Sequence, residues 1–388
     1  MMNRNEILIG LQLSAHGAQL TWYGNELKEP QTLSLPGEMD NGLMGVPAEV
    51  WNALSREDAS EKASGYIREL LDMVPQLKSA EKHDVRICVT VPDLDEKMSK
   101  RLKTVVRQAG VDERGIFLQD FRTSFFYYVV NKKKELWNGD VAFLSVQDGR
   151  MNGYILHIDR TASPHTATFR QEASCDVSDK ARAGRSDEDW DAERDRLLYE
   201  LLGKLFERRN VSASYLYGGY FDARWAKRSF QYLTFHRHAF QGQNLFSKGA
   251  CYGVMARCGE IRMPDIIFQG VDMVKVNIGM KVRVKGRPET VPLIRAGVNW
   301  YEAYGMLDVV PESEKNVTIL SEYEDGSGTI RHTLRLDHFP DRPDRASRLR
   351  VRVWFSAPKM LEAEVTDMGF GSLYPSSGRI WHRSIRIA

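Results

Sequence analysis

The order of patterns in residues 85–159 constrains the fold more than any other feature of this chain. Residues 85–91 are a β-branched run of strand length that stops at a proline. A helix follows, with an apolar face at the α-helical period formed by Leu94, Met98, Leu102, Val105 and Ala109. We expect Asp93 to cap this helix with Glu96 as its reciprocal partner, and Gly110 to end it.

The same stretch continues with a short apolar strand, a second helix and a β-hairpin. Residues 121–131 predict the helix, which is rich in aromatic residues. Residues 141–146 then predict a strand that turns at Asp148-Gly149 and returns through residues 152–158. Strands and helices therefore alternate before the hairpin, which is typical of a mixed α/β domain.

This order resembles the actin-like ATPase superfamily, and within it the nucleotide-binding domain of the seventy-kilodalton heat-shock chaperones. The resemblance is carried by Val91-Pro92 before an amphipathic helix, by Gln108-Ala-Gly110 after it, and by the aromatic helix that follows. It implies a ribonuclease-H-like fold of two lobes with phosphate-binding loops in its hairpins. ATP or ADP with Mg²⁺ are the candidate ligands, and the sequence makes no cofactor certain.

The first hairpin departs from that family's pattern. Its strands are residues 6–13 and 18–23, and the loop between them contains Ser14. Gln12 stands where the family has an aspartate. A carboxylate can hold a magnesium–water shell near phosphates, whereas a neutral amide contributes no charge. Gln12 and Ser14 are therefore candidates for the remnant of a nucleotide site.

The second hairpin departs in the same way. The family uses an aspartate followed by glycines, because backbone amides must approach the phosphates without Cβ atoms in the way. Here Ser145 stands at the aspartate position, and Asp148 and Gly149 supply one acid and one glycine. Asp148 is a candidate displaced metal ligand, although an Asp-Gly pair more commonly forms a hairpin turn. These three residues extend the remnant-site prediction.

A third candidate loop lies after the strand at residues 214–217. The strand ends in Gly218-Gly219, which resembles the adenosine loop of the family, and Asp222 is expected to cap the next helix. Residues 248–256 contain many small side chains and resemble the helix that closes the family's nucleotide domain by close packing. Gly218 and Gly219 complete the candidate site; no catalytic residue is predicted.

The segments between these motifs are shorter than in the family. Residues 33–35 predict a strand, and residues 59–74 predict an amphipathic helix. Residues 161–185 predict a polar, irregular excursion on the surface, and residues 187–209 a long helix. The family's adenine-clamping subdomain does not fit into so few residues, which weakens the ATP interpretation further.

Beyond about residue 264 the pattern becomes entirely strand-like. Alternating strands, with a turn at residues 325–326 among others, are predicted at residues 272–278, 317–321, 329–336 and 348–354. Short alternating strands with regular turns are typical of an antiparallel β-sandwich. Residues 336–367 resemble the substrate-binding β-domain of the same chaperones, and we expect no helical lid after it, because the chain stops at Ala388.

The sequence therefore predicts a fold class of α/β plus all-β in two domains. Residues 1–264 are expected to form a reduced and degenerate actin-like, chaperone-like nucleotide-binding-type domain. Residues 271–388 are expected to form a chaperone-like antiparallel β-sandwich. The 388 residues suffice for two or three such domains with substantial cores, and 42% of them are hydrophobic, as in ordinary globular proteins.

Charge and targeting signals restrict the partners and the location. The net charge of +2 implies neither a polyanionic partner nor a membrane surface. Arg348, Arg350 and Arg352 alternate along a strand and are interpreted as a solvated face, so no nucleic-acid partner is predicted. No stretch is apolar enough to span a bilayer, and the first residues are too polar to begin a secretory signal, which predicts a cytoplasmic protein.

The cysteines do not suggest a disulfide framework, since the four of them are scattered through a long chain. Cys251 and Cys258 lie seven residues apart on a predicted helix, with His236 and His238 upstream. Their spacing matches no zinc pattern, and small helical cysteines are usually core residues, so no metal site is predicted.

These features favour a chaperone-like protein that has lost or much weakened ATP hydrolysis, with a β-domain that binds a protein or peptide segment. The sequence does not decide whether the protein is an enzyme, although the degenerate phosphate loops favour a protein without catalytic activity. One alternative is a weak ATP-binding or ATP-hydrolysing switch that uses Ser14, Asp148 and the two glycines. A second is an actin-like assembly or cell-division component. A third is an unrelated α/β protein whose glycines serve only as turns.

Overall fold

The computed structural model describes residues 6–35, 37, 39, 42–55, 61–78, 84–161, 163–270, 273–284, 286–311, 315–323 and 328–387. Contacts between Cα atoms divide the chain into two units. Unit 1 comprises Met1–Asp159 and Ala167–Phe268, and unit 2 comprises Arg160–Thr166 and Gln269–Ala388. The domain boundaries at residues 264 and 271 stay predictions. Across the described residues, no helix combines the length and apolarity needed to cross a bilayer.

The first sheet of unit 1 has the strand order β3–β2–β1–β4–β5. Its strands are β1 Glu6–Ser14, β2 Gly17–Tyr23, β3 Gln31–Thr32, β4 Asp84–Val91 and β5 Ile116–Asp120. β1 and β2 form an antiparallel hairpin, whereas β4 runs parallel to both β1 and β5. The helices of this half are α1 Ala48–Ser55, α2 Glu61–Asp72, α3 Glu96–Gln108 and α4 Phe121–Val130.

The second sheet has the order β10–β9–β6–β7–β8–β11. Its strands are β6 Asp140–Gln147, β7 Arg150–Asp159, β8 His165–Asp176, β9 Val211–Tyr217, β10 His238–Gly242 and β11 Ile266–Phe268. The helices of this half are α5 Asp179–Arg182, α6 Asp187–Phe206, α7 Lys227–Thr234 and α8 Leu245–Arg257. β6 and β7 form an antiparallel hairpin, and β9 runs parallel to both β6 and β10. Apart from β11, the second sheet therefore repeats the strand order of the first.

The helix that follows the last parallel strand of each sheet packs on the other sheet. Phe125 of α4 lies 4.9 Å from Phe143 of β6 and 5.6 Å from Tyr215 of β9, between ring centroids. α8 lies so close to β1 that a Cβ atom on Gly10 would be 2.1 Å from the carbonyl oxygen of Ser247. The two helices also touch each other, because Gly249 presents no side chain toward Ser124. The small-residue helix predicted from residues 248–256 thus exists and packs closely.

Unit 2 contains two four-stranded sheets, with the orders β13–β12–β15–β16 and β14–β17–β18–β19. The strands are β12 Val276–Val284, β13 Arg287–Ile294, β14 Tyr304–Val309, β15 Asn316–Tyr323, β16 Gly328–Arg335, β17 Leu349–Ala357, β18 Met360–Asp367 and β19 Ile380–Arg386. Every neighbouring pair is antiparallel. Buried side chains from both sheets, such as Ile278, Ile319, Val353 and Ala363, belong to one hydrophobic cluster.

Several local predictions differ from the structure. The excursion predicted for residues 161–185 contains strand β8 and the short helix α5, and α1 was not predicted. β8 was missed because its exposed charged residues hide the apolar alternation on which a strand prediction depends. The strand predicted at residues 33–35 lies instead at Gln31–Thr32. The predicted positions 59, 272, 325 and 326 lie outside the described residues.

Both helix caps predicted from aspartates were wrong. α3 begins at Glu96, so its cap is Asp95, whose Oδ1 accepts a 2.6 Å hydrogen bond from the Met98 amide, whereas Asp93 pairs with Arg122. α7 is capped by Asp195, a residue of α6 whose carboxylate accepts hydrogen bonds from the amides of Arg228 and Ser229. A cap supplied by a distant helix leaves no local sequence pattern.

The loop after β18 is organised around one buried ion pair. Arg342 donates two 2.9 Å hydrogen bonds to the two carboxylate oxygens of Asp367. The Asp367 carboxylate also accepts from the amides of Gly369 and Ser377. The side chain of Asp367 is completely buried and that of Arg342 is 8% exposed. Burial alone would raise the pKa of Asp367, but these hydrogen bonds outweigh it and hold the pKa well below its ordinary value.

Replacement of Gly249 with alanine is expected to destabilise the protein, since the new Cβ atom would lie 2.0 Å from the carbonyl oxygen of Ser124. We expect a loss of about 1–3 kcal/mol in the free energy of unfolding, measured in urea. Gly203→Ala in α6 is the matched control, because no atom lies within 4 Å of its new Cβ. It should raise stability by about 0.5–1 kcal/mol. Equal effects of the two substitutions would contradict the close packing of α8.

Replacement of Asp367 with asparagine is expected to destabilise the protein by roughly 3 kcal/mol near neutral pH, because Arg342 would stay buried without its counter-charge. The folded-state pKa lies below the unfolded value of about 3.9, so the ionic contribution is complete above that pH and is lost as the pH falls below it. The difference in unfolding free energy between wild type and variant should therefore shrink below about pH 4.

The control for this experiment is Glu364→Gln, which removes the carboxylate that pairs with Arg352 on a more exposed part of the same sheet. We expect that change to cost less than about 1 kcal/mol. A stability difference for Asp367→Asn that stays constant from neutral pH to pH 3 would show that the carboxylate charge is not what stabilises the loop.

Candidate functional site

A cavity of about 420 Å³ lies in unit 1 between the two hairpin turns. One side is the β1–β2 hairpin, the other is the β6–β7 hairpin, and the ends of β9, α4 and α8 complete the walls. The lining residues are Ser14, His16, Leu43, Pro92, Asp93, Phe121, Arg122, Phe143, Ser145, Val146, Gln147, Asp148, Tyr154, Phe169, Tyr217, Gly218, Gly219, Tyr220 and Phe246.

The structure brings most of the predicted site residues together. The five that line the cavity are Ser14, Ser145, Asp148, Gly218 and Gly219. Gln12 lies behind the wall and contacts it through Tyr217, a lining residue. Gly149 lies outside the cavity, in an adjoining depression that also contains Asp148. Residues more than 200 positions apart in the sequence therefore meet at one cleft.

The two predicted site residues of the first hairpin, Gln12 and Ser14, carry no charge. Gln12 is completely buried and its Nε2 donates a 2.7 Å hydrogen bond to the Tyr217 hydroxyl. Its Oε1 finds no partner among the described residues. The Ser14 hydroxyl donates to the carbonyl of Gly17 at 3.1 Å and accepts from the His16 amide at 3.2 Å. Both side chains are thus engaged within the protein.

The second hairpin is a tight two-residue turn. Asp148 and Gly149 both have positive φ angles, 50° and 70°, which is typical of a type I′ turn. The Gly149 carbonyl accepts a 2.7 Å hydrogen bond from the Val177 amide, and a Cβ on Gly149 would lie 2.9 Å from the Cα of Ser178. The Asp-Gly pair therefore has a sufficient structural role, and the turn packs against the segment that precedes α5.

The Gly218-Gly219 pair follows β9 at the wall of the cleft. Gly218 has a φ angle of 90°, so the backbone here favours glycine. Gln241 steadies the loop, since its Nε2 donates to the carbonyls of Gly218 and Phe221. No atom lies within 4 Å of where a Cβ atom would stand on either glycine. The backbone of this loop is accessible to a ligand in the cavity.

Aromatic rings form most of the walls. Phe121, at the start of α4, stacks on Phe246, at the start of α8, with ring centroids 4.0 Å apart and an interplanar angle of 11°. Tyr154 stacks on Phe169 at 5.1 Å with the same angle. Phe143 lies between the two pairs, 5.8 Å from Phe246 and 5.9 Å from Tyr154. Both pairs contact this one ring, which ties the walls into one cluster.

The charges of the cleft are few and mostly acidic. Asp93 and Asp148 are the lining carboxylates, and Arg122 is the only lysine or arginine among the described lining residues. Arg122 pairs with Asp93 at 2.9 Å and with Asp120 at 3.5 Å. Burial raises the pKa of Asp120, although hydrogen bonds from Thr123 and the charge of Arg122 oppose that shift. The arginine charge is therefore balanced by neighbouring carboxylates.

These residues do not fit magnesium and a nucleoside triphosphate. The two positions where the resemblance implies carboxylates hold Gln12 and Ser145, and the Gln12 amide is bound to Tyr217. No lysine reaches the described lining, and the one arginine is neutralised. Among the described residues, no group of three or more His, Cys, Asp or Glu side chains is arranged to hold a metal ion.

The cysteines considered for metal binding have other roles. Cys251 is fully buried where α8 approaches β1, and burial raises the pKa of its thiol well above the ordinary value. Cys258 follows the last residue of α8 and closes the helix through its amide. No disulfide involves any of the four cysteines.

Sequence reasoning missed the aromatic lining. Phe121 was assigned only to a buried helix face, and Phe143, Tyr154 and Phe169 were not assigned to the site at all. One signal existed for the first strand pair: Phe143 and Tyr154 are directly opposite each other across the β6–β7 hairpin. Phe169 carried no such signal because its strand, β8, was not predicted.

Comparison with known families assigns the chain but not its activity. Residues 50–270 match the model described as "Family of unknown function (DUF5716) C-terminal". The chain belongs to this family. Residues 273–387 match a second model, "Domain of unknown function (DUF8552)", so this DUF5716 member has its two matched regions on either side of residue 271.

Other comparisons add little to the DUF5716 assignment. No curated protein matches the chain. Among solved structures, the chain is similar to a Bacteroides thetaiotaomicron protein described as having an actin-like ATPase fold and unknown function. The identity is 10% and the TM-score is 0.35, with 66% of this chain and 99% of the Bacteroides chain covered.

Proposed function

We propose that the protein is a chaperone-like binding protein whose actin-like, nucleotide-domain-like unit does not hydrolyse ATP. The repeated strand order of the two mixed sheets, each with a hairpin followed by parallel strands, supports the actin-like assignment. The observation that carries the proposal is the cleft itself. Where phosphates and a metal would need carboxylates and a lysine, the hairpins have Gln12 and Ser145, and the walls of the cleft are stacked aromatic rings.

The absence of the two expected carboxylates supports the loss of ATP hydrolysis. Phosphoryl transfer depends on positioning and on neutralisation of the charge that develops on the transferred group. Gln12 and Ser145 carry no charge, so neither replaces the carboxylate that would help to hold a metal ion at this place. Arg122, the one strong cation of the described lining, already faces Asp93 and Asp120. The unit is thus better suited to be a scaffold than a catalyst.

We propose further that unit 2 is an antiparallel β-sandwich that binds an extended protein segment. β14 is the terminal strand of its sheet, and its outward side chains Tyr304 and Met306 are 56% and 52% exposed. Terminal strands can accept an added strand through their backbone, while apolar side chains supply contact area. The exposed apolar pair on such a strand supports a peptide as the partner.

The purified protein is expected to release no phosphate from Mg-ATP above the buffer rate. The double variant Gln12→Asp with Ser145→Asp should also stay inactive, because the aromatic lining and the balanced Arg122 would be unchanged. Phosphate release is measured with a coupled enzymatic assay, and Asp148→Asn serves as the control for contaminating ATPases. Turnover by wild type that Asp148→Asn abolishes would contradict the proposal and favour a weak nucleotide switch.

Binding of an extended segment is tested with a permanently unfolded protein, such as fluorescently labelled reduced and carboxymethylated α-lactalbumin. Met306→Lys is expected to weaken its binding by about tenfold, because a charge replaces an apolar contact on β14. The control is Val284→Lys on β12, an exposed apolar position in the other sheet of unit 2, where β12 pairs with β13. If both substitutions weakened binding equally, the proposal that the segment binds at β14 would be wrong.

A further inference from the structure

The aromatic walls of the cleft have a geometry that suits a flat ligand. The Phe121–Phe246 and Tyr154–Phe169 pairs are each nearly parallel, and Phe143 contacts both. Offset stacking and edge contacts between rings contribute about 0.5–1.5 kcal/mol per pair beyond the burial of area. The volume of about 420 Å³ falls within the range of small-molecule sites. A planar ring system in the cleft would contact the faces or edges of several of these aromatic rings at the same time.

The charges of the cleft select against phosphate. Asp93 and Asp148 are its lining carboxylates, and Arg122, the one arginine among the described lining residues, pairs with Asp93 and Asp120. A phosphate placed there would meet the Asp148 carboxylate and, among those residues, no lysine or arginine whose charge is not already balanced by a carboxylate. Like charges at close range in a partly closed cleft repel strongly. These charges therefore disfavour a phosphate at the end of the cleft that lies between the hairpins.

The polar part of the lining can orient a neutral heteroaromatic molecule. Ser145 and Gln147 line the β6 side, and the accessible backbone of Gly218-Gly219 lines the β9 side. Hydroxyl, amide and backbone groups of this kind provide both donors and acceptors for ring nitrogens and carbonyl oxygens. A few placed polar groups among apolar walls are typical of small-molecule sites.

We propose that this cleft binds a flat, uncharged heteroaromatic molecule of about nucleoside size that carries no phosphate. The inference rests on the proposed loss of ATP hydrolysis, since it concerns the same cleft. It goes beyond that loss because it assigns a positive binding activity and a ligand class to the site.

The experiment uses two matched pairs of probes, adenosine with AMP and riboflavin with FMN, titrated against the full chain by calorimetry. The members of each pair share their rings and differ by one phosphate. We expect at least one neutral member to bind, and to bind about tenfold or more tightly than its phosphorylated partner. Absence of binding by both neutral probes up to their solubility limits would overturn the proposal. Equal or tighter binding of the phosphorylated partners would also overturn it.

Variants identify the site. Phe143→Leu keeps an apolar side chain but removes the ring shared by both stacked pairs, so it should weaken the neutral probe by about tenfold. Phe240→Leu, which changes a 37% exposed ring of β10 outside the lining, is the matched control. An unchanged affinity in Phe143→Leu would overturn the assignment to this cleft.

A second variant tests the electrostatic step. Asp93→Asn frees Arg122 from one carboxylate, so the ratio of affinities between the neutral probe that binds and its phosphorylated partner should fall. Glu96→Gln makes the same change of charge on the exposed surface of α3 and should leave the preference as it is. An unchanged preference in Asp93→Asn would overturn the electrostatic argument. Phosphate release from Mg-ATP, measured separately, would contradict the proposed function, whereas absent release with absent ring binding contradicts only the ligand proposal.

Discussion

The close approach of α8 to β1 and to α4 is the constraint on which unit 1 depends. It requires glycine at Gly10 and Gly249, where a Cβ atom would lie about 2 Å from backbone oxygens of the facing element. Because the helix after each sheet reaches the other sheet, this contact joins the two halves. It also places the starts of both helices side by side, so that Phe121 and Phe246 stack at the edge of the cleft.

The same junction contains buried polar contacts beside a hydrophobic cluster that includes Leu8 and Val254. Ser247 of α8 donates to Gln19 Oε1 at 2.7 Å, and Thr21 donates to Ser247 at 2.9 Å. Ser124 of α4 donates to Thr90 at 2.6 Å. Buried polar groups have to be hydrogen-bonded, and these satisfy one another without charge. The junction is therefore stabilised by neutral hydrogen bonds, and the cleft beside it is lined by stacked rings as well as by polar side chains.

Unit 2 shows a comparable dependence on one buried polar group. The irregular loop after β18 carries exposed apolar residues, among them Leu373 at 85% exposure, and has no regular ladder to order it. The Asp367 carboxylate replaces that ladder by accepting hydrogen bonds from Arg342 and from two loop amides. A carboxylate that is buried in this way is stable only with its partners in place, so the loop conformation and the ion pair depend on each other.

The sequence by itself determined the elements with strong periodicity and clear turn residues: strand β4, helices α3, α4, α6 and α8, the Asp148-Gly149 hairpin and strands β15, β16 and β17 of unit 2. It also determined that Gln12 and Ser145 occupy the two hairpin positions where the resembled family has aspartates. It therefore predicted a site that lacks those two carboxylates. These features are local, since each follows from the spacing and chemistry of neighbouring residues. Only the tertiary structure decided the Asp195 cap of α7, strand β8 and the stacked rings of the cleft. Those features depend on contacts between residues that are far apart in the sequence, and a single sequence does not show directly which distant residues are in contact.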